Sequence, residues 1–205
     1  MSFKSLFIGL AMVATGSAVP ACAAQYLTNG SFESGDVTGW TATGDQSTVF
    51  VVSNPFTYTG GGVPQGAQDG NNFVIEGPVG ADAFLSQTFA DTAGQTLSIS
   101  GWVTGDGSSP SDVQFLFNGA VVGSVNPVPD QIWTQYVFTA SATGLDTFAV
   151  GFRNDNSFDG LDNFSVSSIS AVPEPTTWIL LLLGFATLGF FRYRRSEASK
   201  DALTV

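Results

Sequence analysis

Residues 111–125, SDVQFLFNGAVVGSV, decide the fold class. Val113, Phe115 and Phe117 recur at period two, so in an extended chain they share one face. Asn118-Gly119 follows at once, the residue pair suited to a two-residue type I′ turn. A second strand-like run, AVVGSV, then leads back. The stretch reads as an antiparallel β-hairpin.

The same pattern repeats on both sides of it. STVFVVS, NNFVIEG, AFLSQTF, TLSISGWVT, IWTQYVFTA, DTFAVGF and LDNFSVSSI bring the candidate strands to nine, with Phe148, Val150 and Phe152 again sharing a face. Gly, Ser, Thr, Asn and Asp punctuate the runs, and nothing between residues 25 and 170 reads as a long helix. An all-β domain follows over residues 25–170, an antiparallel two-sheet β-sandwich.

Composition narrows the chemistry. Residues 25–172 hold fourteen carboxylates and a single cation, Arg153. Such a surface repels phosphate and excludes nucleic acid as a partner. The chain has no His, which removes the Ser-His-Asp triad, His-ligated zinc and imidazole acid–base catalysis. Its one Cys, Cys22, lies where a leader peptide would be cut, so no disulfide is expected in the body.

The two ends read as address labels. Residues 1–24 carry Lys4, an apolar run from Leu6 to Val13 and an A-x-A pattern at Ala21 and Ala23, as in a signal peptide cut after Ala23 or Ala24. Lipoprotein processing at Cys22 is the alternative. Near the other end, residues 171–177 form a Pro-rich linker, 178–191 an uncharged run expected to be a transmembrane helix, and 192–205 a basic cytoplasmic tail. As a helix, the fourteen uncharged residues rise roughly 21 Å, against a hydrocarbon core of about 30 Å. Adding Pro175, Thr176 and Thr177 brings the span close to the lower limit.

Pro173-Glu174-Pro175, Trp178, the apolar run and Arg192, Arg194 and Arg195 resemble, in that order, the PEP-CTERM sorting signal in its PEPxxW form. The tail EASKDALTV runs longer than is usual there. The resemblance implies a Gram-negative bacterium, export through its inner membrane, a transient membrane anchor and recognition by an exosortase, a membrane cysteine transpeptidase. It also implies a place in the cell envelope or an extracellular polysaccharide and biofilm matrix. The prolines bias the linker towards extended backbone, which a processing enzyme can bind.

The body carries a second resemblance. LTNGSFESGDVTGW at its start and GLDNFSVSSI at its end are similar to the galactose-binding-like jelly rolls of carbohydrate-binding modules. The resemblance implies that the first and last strands are neighbours and that a structural calcium sits near Glu33 and Asp162. Ser31 would lend a backbone carbonyl, and Asp69 is a weaker addition. Calcium takes oxygen ligands only and needs neither His nor Cys. The opposing reading is that Glu33 and Asp162 are simply acids at strand ends.

Sugar-binding domains stack rings on exposed aromatics and hold hydroxyls with polar side chains. Phe56 and Tyr58, in the Gly-rich stretch NPFTYTGGGVPQGAQDG, are the candidate stacking residues, with Arg153 as a candidate polar contact. A salt bridge to a neighbouring carboxylate is the alternative for Arg153. Trp40, Trp102 and Trp133 lie in or beside strand-like runs and are expected in the core. Polysaccharide binding is the leading expectation, with a purely structural or adhesive matrix protein as the alternative. A carbohydrate-active enzyme would have to work with carboxylates alone, and no catalytic arrangement stands out.

Overall fold

The structure, a computed structural model, describes residues 23–56, 66–130, 132–169, 182–188 and 192. The chain divides into two units, Ala23–Ile169 and a second comprising Met1–Cys22 and Ser170–Val205. In the second, residues 182–188 are helical with Leu182, Leu183, Phe185 and Leu188 exposed. Among the described residues no helix is long and apolar enough to cross a membrane. The expected signal peptide, the Pro-Glu-Pro linker and half of the expected 178–191 helix lie outside the described residues.

Ala23–Ile169 is a sandwich of two antiparallel five-stranded sheets. The strands are β1 Thr41–Thr43, β2 Val49–Ser53, β3 Asn72–Glu76, β4 Ala83–Ala90 and β5 Thr96–Thr104. They continue with β6 Ser111–Phe117, β7 Ala120–Val125, β8 Thr134–Ser141, β9 Leu145–Asn154 and β10 Asp159–Ser168. One sheet runs β1-β4-β9-β6-β7 and the other β2-β3-β10-β5-β8. All nine expected strands are present. The tenth, β1, pairs Thr41–Thr43 along the edge of β4 and is fully exposed, so it carries no apolar alternation to betray it. Asn118 (φ 51°) and Gly119 (φ 78°) both take positive φ between β6 and β7, as a type I′ turn demands.

Period-two burial builds the core. Val113, Phe115 and Phe117 of β6 face Leu97, Ile99 and Val103 of β5, with Phe148, Val150 and Phe152 of β9 beside them. β10 needs a correction to keep its apolar residues inside. Its register with β5 shifts between Asp162 and Ser165, and Asn163 takes a positive φ of 48°. This bulge flips the parity, so that Leu161 before it and Phe164 and Val166 after it are all buried in the core.

The N-terminal segment locks onto β10. Gln25 bridges Ser167, and Tyr26 N donates to Val166 O at 2.8 Å, so the N-terminal segment lies beside the last strand, whereas the first strand, β1, pairs with β4 in the other sheet. Phe164 N donates to Gly30 O at 2.8 Å, and a Cβ at Gly30 would overlap the Phe164 carbonyl oxygen. Phe32 is fully buried against Trp40 and Phe164. The NGSFE and GW motifs are therefore parts of one closure.

Only one of the three tryptophans joins the main core. Trp40 packs on Phe32, Phe148 and Phe164, and its Nε1 donates to Asn29 O at 3.0 Å. Trp102 is half-buried on the outer face of its sheet, because Leu97, Ile99 and Val103 take the inward parity of β5. Trp133 packs in a second cluster with Phe73, Ile75, Val52, Phe56, Ala67 and Phe158. The core expectation is corrected for Trp102 by strand parity and for Trp133 by its place before β8, in the second cluster.

Candidate functional site

Glu33 and Asp162 both engage the turn leading into β3. Asp162 Oδ2 accepts from the backbone N–H groups of Gln68 (2.9 Å) and Asp69 (3.0 Å), and Oδ1 from that of Asn163 (2.7 Å). Glu33 Oε1 accepts from Asn71 N (2.9 Å) and Asn72 N (2.7 Å). Gly70 between them has φ 64°, and a Cβ there would run into the Glu33 carboxylate. The two acids clamp one turn from both sides. Burial pushes the Asp162 carboxyl up to about 7, against the backbone donors that lower it.

Of the other residues assigned to calcium, Asp69 contributes its N–H to the clamp and is exposed, while Ser31 is half-buried in the preceding loop. Among the described residues no group of three or more His, Cys, Asp or Glu side chains is placed to hold a metal ion. As it stands, the turn is a set of N–H donors aimed at carboxylates rather than a cage of oxygens aimed at a cation.

The sugar candidates do not come together. Phe56 is half-buried and packs edge-on against Phe73 at 5.8 Å, on the outer face of the β2-β3-β10-β5-β8 sheet. That ring braces the sheet instead of standing free in a loop. Tyr58 lies outside the described residues. Arg153 sits on the opposite side of the sandwich, on the outer face of the β1-β4-β9-β6-β7 sheet. It makes a bidentate pair with Asp155, Nε to Oδ1 at 2.7 Å and a terminal nitrogen to Oδ2 at 2.5 Å. The salt bridge expected as the alternative for Arg153 is present.

Around Arg153 the structure gathers a patch of aromatic and polar side chains that the motifs did not indicate. Thr43, Phe84, Gly151, Gln114 and Ser124 are successive register partners across β1, β4, β9, β6 and β7. The half-buried Phe84 ring lies over Gly151, where a Cβ would stand 2.5 Å from Phe84 Cε1. Beside this row, Gln114 Nε2 donates to Asp112 Oδ2 (2.9 Å) and Asp82 Oδ2 (3.2 Å). Arg153 is the register partner of Asp112.

The electrostatics of this patch are mixed. Its hydrogen bonds to Arg153, with that of the Gly80 N–H, hold Asp155 at about 2. Burial, then the neighbouring Asp112, raises Asp82, with Arg153 opposing. The hydrogen bond to Asp155 raises Arg153 above its ordinary value. The result is an aromatic face rimmed by an amide, three carboxylates and a guanidinium on a rigid sheet. No sequence signal marks it, since it depends on which strands are neighbours.

A two-sheet jelly-roll sandwich is the class this fold defines. Residues 171–195 match the family model described as the PEP-CTERM protein-sorting motif. No curated protein matches the chain by sequence. Among solved structures, TmCBM61 in complex with β-1,4-galactotriose is similar at 22% identity and TM-score 0.52, covering 70% of this chain and 97% of that one. The tandem CBM22-1-CBM22-2 domain of Paenibacillus barcinonensis Xyn10C is similar at 24% identity and TM-score 0.50, covering 76% of this chain and 48% of that one. The Stig cyclase Fisc from Fischerella sp. TAU shares the fold at 14% identity and TM-score 0.53, covering 73% and 100%. Binding modules and a cyclase therefore share the architecture.

Proposed function

We propose that this chain is an exported, exosortase-processed protein of the cell envelope or extracellular matrix whose sandwich binds polysaccharide. The sugar would lie on the outer face of the β1-β4-β9-β6-β7 sheet. The observation that carries this reading is the Phe84 ring laid over Gly151 with Gln114, Asp82, Asp112 and Arg153 beside it. A pyranose presents an apolar face to a ring and hydroxyls to amides and carboxylates, and this patch offers both. The galactotriose held by the similar TmCBM61 structure supports the same substrate class. Affinity electrophoresis of the full chain in gels of neutral and acidic polysaccharides tests it. Retardation in at least one gel is the expected result, and free migration in all of them favours the structural-matrix alternative.

The sorting part rests on the match over residues 171–195. Replacing Pro173, Glu174 and Pro175 together by Ala leaves an unprocessed form retained in the inner membrane, visible as a larger band in the membrane fraction. Normal release of that variant would remove exosortase from the account. Gram-negative origin belongs to the same proposal.

Calcium at the turn held by Glu33 and Asp162 is a proposal of its own, carried by the hold of both acids on one turn. If they share an ion, the full chain melts at a higher temperature in millimolar calcium than in chelator, and Glu33→Ala or Asp162→Ala abolishes that increment. An unchanged wild-type curve removes the ion and leaves the clamp. Either variant also melts below wild type in chelator, because backbone N–H groups lose acceptors, at roughly 1–3 kcal/mol for each buried donor left unpaired.

A further inference from the structure

Glu76 ends β3 and Asp159 begins β10, and the two are direct partners across that antiparallel pair. Each has the parity of a core residue two positions away, Val74 and Leu161, so both side chains point between the sheets. Both residues are completely buried. Neither oxygen of Glu76 nor Oδ2 of Asp159 meets a hydrogen-bond donor. Asp159 Oδ1 alone is satisfied, accepting from Asn154 Nδ2 at 2.9 Å. The bare Cα of Gly105 makes room for it, since a Cβ there would overlap Asp159 Oδ1.

Among the described residues no cation is paired with these two carboxyls. Like charges directly opposite on paired strands destabilise a sheet, and burial makes unpaired carboxylates worse. Asp159, Asp112 and Asp82 add negative potential at Glu76, and Asp106 does so at Asp159. Arg153, the one cation of residues 25–172, is already engaged by Asp155. Burial is the leading cause that holds both carboxyls high, Asp159 at about 7 and Glu76 well above its ordinary value.

We propose that Glu76 and Asp159 form a buried site for a hard divalent cation of the calcium class, separate from the turn held by Glu33 and Asp162. Glu76 supplies two empty oxygens and Asp159 a third. With no nitrogen or sulfur donor in the set, the chemistry selects calcium over the softer transition metals. The site ties β3 to β10 at the point where two opposed carboxyls are otherwise buried without a counter-charge.

Calorimetric titration of the full chain with calcium chloride counts the sites, and melting in calcium and in chelator reads their effect. The informative variants are Glu76→Gln, Asp159→Asn and, for the separate turn, Glu33→Gln. Wild type is expected to bind one more calcium than Glu76→Gln or Asp159→Asn, and Glu33→Gln to keep that site. In chelator, Glu76→Gln should melt above wild type, because a buried Glu76 must either carry an unpaired charge or take up a proton, and the amide does neither. Wild type binding no calcium overturns the proposal and leaves a pair that shares a proton. So does calcium binding that survives in full in Glu76→Gln and Asp159→Asn but disappears in Glu33→Gln. Should the Gln and Asn variants fail to fold, a calcium site remaining in Glu33→Gln supports the proposal and its absence there overturns it.

Discussion

Truncating Phe164 to alanine lowers the stability of the sandwich by roughly 3–5 kcal/mol. Its ring, 2% exposed, is the hub of the aromatic core. Ring centroids of Phe115 and Phe148 lie 5.9 Å away, that of Trp40 at 6.0 Å and that of Phe32 at 6.2 Å. These neighbours come from the opposite sheet and from the N-terminal closure, so no single element can move to fill the space. Gly101 of β5 has no side chain to offer, because the Phe164 ring occupies the place where its Cβ would stand. Urea unfolding measures the change as a shift in midpoint at constant slope. Val137→Ala, exposed on the outer face, serves as the control and should stay within about 0.5 kcal/mol of wild type. A Phe164→Ala loss no larger than that of the control would mean that the two sheets do not close on this ring.

The fold was legible because alternation is a local property. β6, β9 and the hairpin at Asn118-Gly119 each declare themselves within a dozen residues. β1 escaped because an exposed edge strand of three residues has no buried side to alternate with. The placement of Trp102 was legible in principle, since Leu97, Ile99 and Val103 share the parity that Trp102 lacks. A general preference of aromatics for β-sandwich interiors outweighed that parity and misled.

The site was a different matter. The NGSFE and LDNF motifs turned out to close the fold: Gly30 meets the Phe164 backbone, while Glu33 and Asp162 hold the turn into β3. Motif residues are conspicuous in a sequence when the backbone needs them, and a ligand face need not be. Phe84, Gln114 and Gly151 lie far apart along the chain and become neighbours only through the order β4-β9-β6. Strand order within a sheet leaves no periodicity to read. The same holds for Glu76 and Asp159, whose opposition depends on the pairing of β3 with β10.

Phe84→Ala is expected to remove most polysaccharide retention while leaving the fold intact. An aromatic at the centre of a binding patch typically contributes about 2 kcal/mol or more, which corresponds to roughly a thirtyfold loss of affinity. The cost to stability is smaller than that of Phe164→Ala, because the Phe84 ring is half-buried on an outer face and its removal opens no cavity between the sheets. Gly151→Ala probes the same contact from below. Its methyl would press on Phe84 Cε1 and tilt the ring off the sheet, so affinity falls although no ring atom is lost. Arg153→Ala should weaken retention less, since Asp155 already holds the guanidinium. Phe56→Ala gives the opposite signature, full retention with a lower melting temperature, because that ring braces Phe73 on the other sheet. Affinity electrophoresis and thermal melting on the four variants separate these outcomes. If Phe84→Ala migrates like wild type while a folded Trp102→Ala runs free, the sugar lies on the β2-β3-β10-β5-β8 face. Trp102, half-buried there beside its register partners Asp162 and Gln135, would then be the stacking residue.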